Sequence, residues 1–540
     1  MPAGPSEAAP TVSPWAPLRG STFRVLWAAT LLANIGTWVR DVGSGWLMTS
    51  LSPSALAVAS VQVATTLPIF LLSLPAGVLA DLVNRRRLLI GLNIVLATVS
   101  LTMAWTTHAG HMTATALVAS LLIAGIATAL AQPVQQSLTP LMVGQPSLLR
   151  PAIALNSLGF NVSRAIGPAL GGLLIGSVGV AAAFAVDALS YLGLIAALWW
   201  LRSASTPASS GPPERFASAL RGGLRFALHA PALRRILLRA LLFFGFASAY
   251  WALLPLIARR ELGGDAGYYG IVLASIGAGA VAGAVALPTL RKHLSAEATL
   301  RLGTSITIAC LLGLAASRDK ALAAGVLALA GAAWIAVLTT ANVAAQTSLP
   351  NWVRGRGLAL YLTLFYGAMA VGSLVWGALA DALGVRPALA CAALAGALGL
   401  VVAWRRPVSE LEPDLRPAMH WPEPVLSDER SANGHGHGPV MVTVEYLIEP
   451  AQRDGFLVAL HAFAPERQRD GALQWDVFED AAQPGRFVEV FMLPSWDDHL
   501  RQHARVSHAD AALQRVVRSF HRGPQVPKVE HWLGHRSMTG

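Results

Sequence analysis

The sequence predicts an all-α polytopic membrane protein that carries a smaller α+β domain after its last apolar segment. Of the 540 residues, 54% are hydrophobic and only 13% are charged, whereas a soluble domain has roughly 25% charged residues. Apolar stretches of roughly 20 residues, the length that crosses a bilayer as a helix, recur as far as residue 404. From residue 440 the pattern alternates as in a strand of a soluble domain. This composition excludes an ordinary soluble, fibrous or disordered protein.

Twelve apolar segments are expected to be helices, because a backbone in lipid must satisfy its hydrogen bonds internally. They lie near residues 23–47, 55–80, 87–107, 113–138, 152–177, 180–201, 234–258, 268–290, 299–317, 321–346, 357–379 and 385–404. The longest connecting loop, 202–233, separates an N-terminal six-helix lobe (18–201) from a C-terminal one (234–404). The other segments are predicted to be a disordered N-terminal tail, a linker and a ferredoxin-like domain, at 1–17, 405–438 and 439–535.

Basic residues are concentrated in the apolar part of the chain, since 27 of the 40 Lys and Arg lie between residues 18 and 406, against 9 Asp and Glu. In the predicted loops, 19 basic residues fall on one side and 5 on the other. The positive-inside rule places the 19 in the cytoplasm together with both termini. We therefore expect a multi-pass membrane protein in contact with lipid. No nucleic-acid partner is expected, because no soluble face carries a basic stripe.

The loop after the second segment reads GVLADLVNRRRLL. With Gly77, Asp81, Arg85 and Arg86 at these spacings, it resembles the gating signature of the major facilitator superfamily, whose fold has two six-helix lobes. The resemblance implies that Asp81 pairs with Arg85 and caps the eleventh segment, which would hold the lobes together on the cytoplasmic side. Asn84 stands where the family has glycine, and we expect it to adopt the left-handed turn conformation. The alternative is an ordinary exposed turn.

The fifth segment contains the small-residue run ALNSLGFNVSRAIGPALGGLL. Its residues Ser163, Gly167, Pro168, Gly171 and Gly172 resemble the antiporter motif of exporters in the same superfamily. Small residues let helices approach closely and proline bends a helix, so generic helix packing is the alternative. Together with the opening NIGTWVRDVGSGWLM, the run resembles the enterobactin-exporter and macrolide-efflux branch, also described as transmembrane secretion effectors. This resemblance covers roughly residues 18–405 and implies export.

Charged residues inside the predicted spans are candidates for proton coupling, because a charge within a bilayer is costly unless it is used. Asp41 in the first segment is the first choice. Asp187 in the sixth is the second, since the family places that helix at the periphery. Alternatively, Asp41 forms a structural ion pair with Arg164 or is a water-exposed acid near the outer rim. Arg164 itself needs an acidic or carbonyl partner or binds an anionic substrate. The fourth segment lacks the arginine that related proton-coupled exporters carry, so proton antiport is implied by the resemblance alone.

The substrate cavity is expected to be amphipathic and lined by aromatic side chains. The resemblance implies that it lies among helices of both lobes. Its predicted lining residues are Asn34, Trp38, Gln132, Gln136, Arg164, Phe243, Tyr250, Trp251, Trp334, Thr339 and Asn342. Aromatic residues in such helices also serve as packing or interfacial anchors, which is the alternative for each of them.

The C-terminal segment predicts the order strand, helix, strand, strand, helix, strand, which is typical of a ferredoxin-like domain. The stretch GALQWDVFEDAAQPGRFVEVFMLPSWDDHLRQHARVSHAD resembles the antibiotic-biosynthesis-monooxygenase family of dimeric α+β barrels, which includes cofactor-free oxygenases and non-catalytic modules. A pocket in such a barrel would be lined by His461, Trp475, His499, His503 and His508. The histidines could equally be surface residues on helices, which we favour. We expect a dimerising or substrate-handing module with no catalytic residue, cofactor or metal.

Together with the resemblance, these features predict a secondary active exporter of the bacterial cytoplasmic (inner) membrane that moves an amphipathic small molecule. The resemblance implies that proton antiport drives it. The substrate would be a siderophore, a macrolide or another drug or secondary metabolite. One alternative is a transporter fused to a monooxygenase-like enzyme that acts on the cargo, and another is a non-transporting membrane sensor. The chain has no G-x-x-x-x-G-K-[ST] phosphate-binding sequence, so ATP is not expected to drive transport. The expected partners are the small-molecule substrate, the proton, membrane lipid and a second copy bound through the C-terminal domain.

Overall fold

A computed structural model describes residues 13–143, 145–200, 225–350, 352–405, 407, 418 and 439–534. Within these residues, twelve helices of 20 residues or more precede residue 405. They are α1 (Ser21–Leu51), α2 (Ala55–Leu82), α3 (Arg85–His108), α4 (Ala114–Val143), α5 (Pro146–Ser177), α6 (Val180–Trp200), α7 (Pro231–Leu256), α8 (Ala266–Leu290), α9 (Ala296–Ala316), α10 (Lys320–Thr347), α11 (Arg354–Leu383) and α12 (Val385–Trp404). Each predicted apolar segment coincides with one of these helices.

Eleven of the described helices are long and apolar enough to cross a membrane, and α1 is not among them. This first helix is 31 residues long, but it includes Arg24, Arg40 and Asp41. Charged side chains lower the apolar content of a segment and are rare in spans unless they are used. The chain is therefore a polytopic helical protein, and its twelfth membrane crossing stays a prediction for α1.

Helix ends in this bundle are set by capping side chains and by glycine. Asp265 accepts a hydrogen bond from the backbone N–H of Tyr268 at 2.8 Å and so caps α8. Ser295 caps α9 in the same way through the N–H of Ala298, at 3.1 Å. Gly384, with a φ of 94°, joins α11 directly to α12, and this conformation favours glycine.

The chain divides into two compact units. The first comprises residues up to 212, 239–341 and 362–406, and the second comprises 213–238, 342–361 and 407–540. In the first unit, α1 packs on α5 and α6, α2 packs on α4, and α3 packs on α4 and α6. α9 packs on α12, and α5 packs on α8, which joins the first six helices to the last six.

The second unit contains a four-stranded antiparallel sheet in the order β2-β3-β1-β4. Its elements in chain order are β1 (Val440–Leu447), α13 (Arg453–Asp470), β2 (Gln474–Glu479), β3 (Arg486–Leu493), α14 (Trp496–Arg505), α15 (His508–Ser519) and β4 (Lys528–Leu533). In the sheet, Val440 of β1 lies opposite Leu493 of β3 and Leu533 of β4. Alternate residues of β1 are buried, as expected for a strand with one face in a core.

Candidate functional site

A buried ion cluster joins α1, α3 and α6. The Nη1 atom of Arg40 donates to Asp187 Oδ2 at 3.4 Å, and Arg40 Nη2 lies 3.1 Å from Asp41 Oδ1. Asp187 also accepts a 2.6 Å hydrogen bond from the Ser100 hydroxyl, and the Tyr191 hydroxyl accepts a 3.5 Å hydrogen bond from Arg40 Nη1. A single buried guanidinium therefore serves two carboxylates on different helices.

The two predicted coupling residues differ in their access to solvent. The side chain of Asp41 is 36% exposed, whereas that of Asp187 is completely buried. Within the described residues, the Asp187 Oδ1 atom has no hydrogen-bond partner. The ion pair considered for Asp41 and Arg164 does not form, because Arg40 is the cation beside Asp41.

Arg164 of α5 lies beside aromatic residues of the last six helices. Its guanidinium carbon is 5.8 Å from the ring centroid of Trp251 on α7, and it interacts electrostatically with Tyr250 and with Tyr366 of α11. The Tyr366 hydroxyl lies within hydrogen-bonding reach of Gln132 on α4. We call these five residues the Arg164 site. Arg164 is partly exposed, and in the part of the chain that the structure describes no acidic side chain forms an ion pair with it. The contact of its guanidinium with the Trp251 ring is favourable.

Most of the predicted cavity aromatics are packed against one another. Phe243 and Trp334 are each 3% exposed and Tyr250 is 1% exposed. The ring centroid of Trp334 lies 5.9 Å from that of Phe243 and 5.5 Å from that of Trp251. Of this group, Trp251 is partly exposed. A ring that is buried by packing offers little area for binding, and Trp251 is the ring of this group that keeps accessible surface.

The remaining predicted cavity residues lie on α1, α4 and α10, and they are exposed or partly exposed: Asn34, Trp38, Gln132, Gln136, Thr339 and Asn342. Gln132 belongs to the Arg164 site through Tyr366. The amide oxygen of Asn342 accepts a 2.5 Å hydrogen bond from Gln346 on its own helix. The structure therefore brings one of these six residues to Arg164.

Two glycines of the predicted antiporter motif hold α5 against α1. A Cβ atom added to Gly167 would lie 2.5 Å from the Trp38 Cβ, and one added to Gly171 would lie 3.2 Å from the Val39 Cα. The Ser163 hydroxyl, on the same helix, donates to a backbone carbonyl of α1 at 3.2 Å. Side chains larger than hydrogen at these two positions would push the helices apart.

A third glycine of the motif faces α8. A Cβ atom on Gly172 would lie only 2.3 Å from the Cα of Gly270, so the two backbones are in direct contact. Pro168, one turn earlier, lies inside the helix and is buried. The motif residues therefore bring one helix of the last six and one helix of the first six into contact with α5.

The first six helices contact the last six at the end of the bundle where α1 ends and α2 begins. We call this region the loop-1 end (residues 49–56, 257–269 and 381–386). The carboxylate of Asp381, near the end of α11, accepts hydrogen bonds from the Ser54 hydroxyl at 2.6 Å, the Ala55 N–H at 2.5 Å and the Leu56 N–H at 3.1 Å. Asp381 therefore caps the N-terminus of α2, where the helix dipole favours an anion.

Two arginines that follow α7 reinforce the loop-1 end. The Nη1 atom of Arg259 donates to the Thr49 hydroxyl at 2.8 Å, and its guanidinium lies 5.1 Å from the ring centroid of Trp46. Arg260 donates to the carbonyl oxygen of Pro53 at 2.7 Å. These contacts and the Asp381 cap close this end of the bundle across its two halves.

The predicted gating residues lie at the opposite end, which we call the loop-2 end (residues 77–87). Gly77 and Asp81 belong to α2, and their immediate surroundings lie outside the described residues. Arg85 begins α3. Arg86 donates through two nitrogens to two carbonyls at the C-terminal end of α6, each at 2.8 Å. A cation is favoured at this helix end, so Arg86 anchors α3 to α6.

Asn84 does not adopt the left-handed conformation that its place in the motif suggested. Its φ is −63°, and its side-chain oxygen accepts a hydrogen bond from the backbone N–H of Arg87 at 3.1 Å. Asn84 is therefore the N-cap of α3, a position at which asparagine is among the preferred residues. The helix begins one residue later, which leaves no turn for a residue with positive φ.

Asp381 was missed by sequence reasoning although the sequence carries a signal for it. Residues 377–381 read GALAD, and residues 77–81 read GVLAD. The two runs end α11 and α2, and these helices touch, since a Cβ atom on Gly377 would lie 2.6 Å from the Ala59 Cβ. The repeat places an aspartate near the C-terminal end of each of two adjacent helices.

Glu489 lies at the centre of a buried polar network on the sheet. It accepts hydrogen bonds from the Tyr446 hydroxyl at 3.1 Å, from Arg467 Nε at 3.0 Å and from Trp475 Nε1 at 3.0 Å. Trp475, a predicted pocket residue, therefore binds this carboxylate. With three donors, the buried Glu489 is satisfied.

The predicted pocket histidines have different environments. His461 and His508 are exposed, as expected for surface residues on helices. His499 is only 1% exposed, so the expectation of a surface position is wrong for it. Burial and the neighbouring His503 and His531 lower the pKa of His499 to about 3. Its ring is therefore neutral near pH 7.

Arginines and aromatic rings connect the sheet elements to helical segments of the same unit. The rings of Phe226 and Trp352 meet edge to face with centroids 5.7 Å apart. The guanidinium of Arg505 on α14 lies 4.1 Å from the Trp352 centroid, and that of Arg469 on α13 lies 5.5 Å from the Phe226 centroid. We call these four residues the arginine–aromatic clamp.

Comparison with known proteins shows the family. A family model described as "Transmembrane secretion effector" matches residues 12–539. The multidrug efflux pump Tap of Mycolicibacterium fortuitum is 26% identical over 382 residues, which are 68% of this chain and 91% of that protein. The staphyloferrin A transporter of Staphylococcus aureus is 24% identical over 371 residues, which are 67% of this chain and 90% of that protein.

Solved structures show the same fold. The nucleoside transporter NupG superposes with a TM-score of 0.60 at 12% identity, covering 72% of this chain and all of that one. A bacterial homologue of the human lysosomal transporter Spinster, in an inward-facing and occupied conformation, gives 0.57 at 14% identity, covering 72% of this chain and 97% of that one. The chain therefore belongs to the transmembrane secretion effector family and is a multi-pass membrane transporter of the major facilitator type.

Proposed function

We propose that this transporter exports an amphipathic small molecule, of the drug or siderophore class, by alternating access. The names of the relatives support the substrate class, because one is a multidrug efflux pump and another a staphyloferrin A transporter. The resemblance of the α5 glycine run to the motif of exporters supports the direction. The Arg164 site carries the proposal, because it places a cation and aromatic rings between helices of both halves.

The Arg164 site suits a cargo with an apolar or aromatic body and an anionic or carbonyl oxygen. A guanidinium within a membrane span is costly unless a partner compensates its charge, and no acidic side chain of the described residues forms an ion pair with Arg164. A cargo oxygen would supply that partner while the ring of Trp251 contacts the apolar body. Tyr366 and Gln132 add neutral hydrogen-bonding groups, which suits cargoes of varied structure.

Uptake into everted membrane vesicles tests export, with a labelled macrolide and a labelled carboxylate siderophore as cargoes. We expect the wild-type protein to accumulate at least one of them. Arg164→Ala is expected to lower that uptake at least about tenfold, the equivalent of about 1.4 kcal/mol of binding. Arg318→Ala, at an exposed position, is the matched control. Full uptake by Arg164→Ala would contradict the site, and no uptake by the wild type would favour the membrane-sensor alternative.

Proton antiport is proposed to use Asp41, with Asp187 as the fixed partner of their shared cation. Asp41 is 36% exposed and can exchange a proton with water, whereas Asp187 is enclosed. Protonation of Asp41 removes its charge, so Arg40 then forms an ion pair with Asp187 and no longer with Asp41. The residues that precede Arg40 on α1 pack on the glycines of α5. A movement of Arg40 would therefore shift α5, the helix that contacts both halves of the bundle.

Alternating access is proposed to use two latches. The arginine-rich loops favour the cytoplasm for the loop-2 end and for both termini, which places the loop-1 end outside. Asp381 then holds the outer end closed by capping α2. Asp81, at the equivalent place in the GVLAD run, would cap α11 when the inner end closes.

The C-terminal domain is proposed to be a ferredoxin-like, non-catalytic module that forms dimers or hands over substrate. The sheet order β2-β3-β1-β4 and the succession of strands and helices are typical of a ferredoxin-like domain. Glu489, buried at its centre, is satisfied by three donors and is poorly suited to remove a proton from a substrate. Oxidation of the cargo by the purified full-length protein would favour the fused-enzyme alternative.

A further inference from the structure

Three histidines of the second unit converge, and none of them belongs to the hydrogen-bond network of Glu489. His499 and His503 are four residues apart on α14, so they lie on one face of that helix. His531 approaches from β4, and its ring centroid lies 4.7 Å from that of His499. One ring nitrogen from each of the three histidines lies within 4.8 Å of the others.

We propose that His499, His503 and His531 bind a divalent transition-metal ion of the zinc class, with a fourth coordination position open to solvent or a ligand. His499 is 1% exposed, and neither of its ring nitrogens makes a hydrogen bond of normal geometry within the described residues. The buried Nε2 of His531 also has no partner there. Buried polar atoms are normally paired, because leaving them unpaired is costly. A bound metal ion satisfies both histidines at once.

The donor set selects the class of metal. Neutral imidazole is a ligand for zinc, copper, nickel and iron, whereas calcium and magnesium require oxygen ligands. A tetrahedral zinc ion with bonds of 2.0–2.1 Å brings its nitrogen ligands to about 3.3 Å from one another. The distances between the ligand nitrogens therefore need to shorten by about 1.5 Å at most, and the three side chains share that movement.

An aromatic residue packs against two of the proposed metal-binding histidines. The ring centroid of Trp496 lies 5.4 Å from that of His499 and 5.8 Å from that of His531. An apolar wall of this kind limits water on one side of a metal site and holds the ligand rings in place. The site thus has close donors, unpaired ring nitrogens on His499 and His531, and a packed aromatic support.

Metal titration of the purified full-length protein tests the site. The protein carries no polyhistidine tag, is first stripped with a chelator, and is then titrated with Zn²⁺ and with Co²⁺, whose visible absorption reports nitrogen coordination directly. We expect one ion per chain. His503→Gln and His531→Gln are each expected to weaken binding at least about tenfold. His461→Gln, which changes an exposed histidine of the same unit, is expected to bind as the wild type does.

Three results would overturn the site. The first is no bound ion at micromolar Zn²⁺. The second is unchanged binding by both His503→Gln and His531→Gln, which would place the ion elsewhere, for example on the His435 and His437 of the NGHGHG run. The third is equal weakening by His461→Gln. Circular dichroism of each variant separates loss of the ligand from loss of the fold, and two independent variants keep the test valid if one fails to fold.

Discussion

Arg40 contacts two carboxylates that belong to different helices, and the two contacts are unequal. Asp187 has no exposed surface and depends on Arg40 and Ser100 for its compensation. Asp41 keeps more than a third of its side-chain surface exposed, so it depends less on Arg40 than Asp187 does. At this scale, the buried carboxylate depends on the ion cluster more than the partly exposed one does.

Asp187→Ala is expected to destabilise the protein by about 3–5 kcal/mol, because it leaves a buried guanidinium with one partly exposed partner. Asp41→Asn is expected to cost less than about 1 kcal/mol, because the side chain it changes is partly exposed. Thermal unfolding in detergent measures both. Equal losses from the two variants would contradict the assignment of Asp187 as the structural partner.

At the scale of elements, α5 connects the two halves of the bundle. Gly167 and Gly171 place its backbone against α1, and Gly172 places it against α8. The same helix carries Arg164, so the cation of the Arg164 site lies on the element that contacts both halves. A change in the spacing of these helices would therefore alter the site and the closure of the bundle together.

Gly172→Ala tests that contact. The added Cβ would lie 2.3 Å from the Gly270 Cα, so α5 and α8 must separate, at a cost of about 1–3 kcal/mol. Gly193→Ala, on α6, is the control, because no atom lies within 4 Å of its added Cβ. Transport and thermal unfolding are measured for both. Wild-type behaviour of Gly172→Ala would show that the close contact is not needed.

Asp381→Ala tests the latch at the loop-1 end. Losing a helix cap costs about 1 kcal/mol, which changes the ratio of closed to open molecules roughly fivefold. Spin labels at Ser52 and Leu383, introduced after replacement of Cys310 and Cys391, report the separation of the two halves. We expect a larger population at long distances.

Asp319→Ala is the matched control for the latch. Asp319 caps α10 through the Leu322 N–H at 2.7 Å, within one half of the bundle. The same capping chemistry is lost, but no contact between the halves is changed. Identical distance distributions for Asp319→Ala and Asp381→Ala would contradict a latch at Asp381.

At the scale of the whole molecule, the second unit combines the sheet with the beginning of α7 and the connection between α10 and α11. The arginine–aromatic clamp lies between these parts. α14 carries Arg505 of the clamp and also two of the proposed metal ligands. The clamp therefore connects the sheet to the helical segments of the same unit.

Trp352→Ala is expected to loosen this unit, because it removes the ring that contacts both Phe226 and Arg505. Amide hydrogen exchange should rise in α14 and in residues 225–238. Trp532→Ala, which changes an exposed tryptophan of β4, is the control and should leave these segments unchanged. No change in exchange for Trp352→Ala would show that the clamp contributes nothing to the unit.

The helices could be predicted closely, whereas the contacts between distant residues could not. Apolar length and charged loops mark each span, so α12 was predicted at its observed bounds. The Arg40–Asp187 pair joins residues 147 positions apart, and no local pattern encodes such a contact. The capping role of Asn84 depends on where α3 starts, and the burial of His499 depends on how α14 packs against the sheet. Asp381 could have been found, because GALAD repeats GVLAD.

Proton-driven export through Asp41 is tested most directly in proteoliposomes with an imposed pH gradient. The wild-type protein is expected to move cargo against its concentration gradient only while the pH gradient lasts. Asp41→Asn is expected to keep cargo exchange at equal concentrations but to lose the response to the gradient. Gradient-driven transport by Asp41→Asn at the wild-type rate would contradict the assignment of Asp41, and gradient-independent accumulation by the wild type would contradict proton antiport itself.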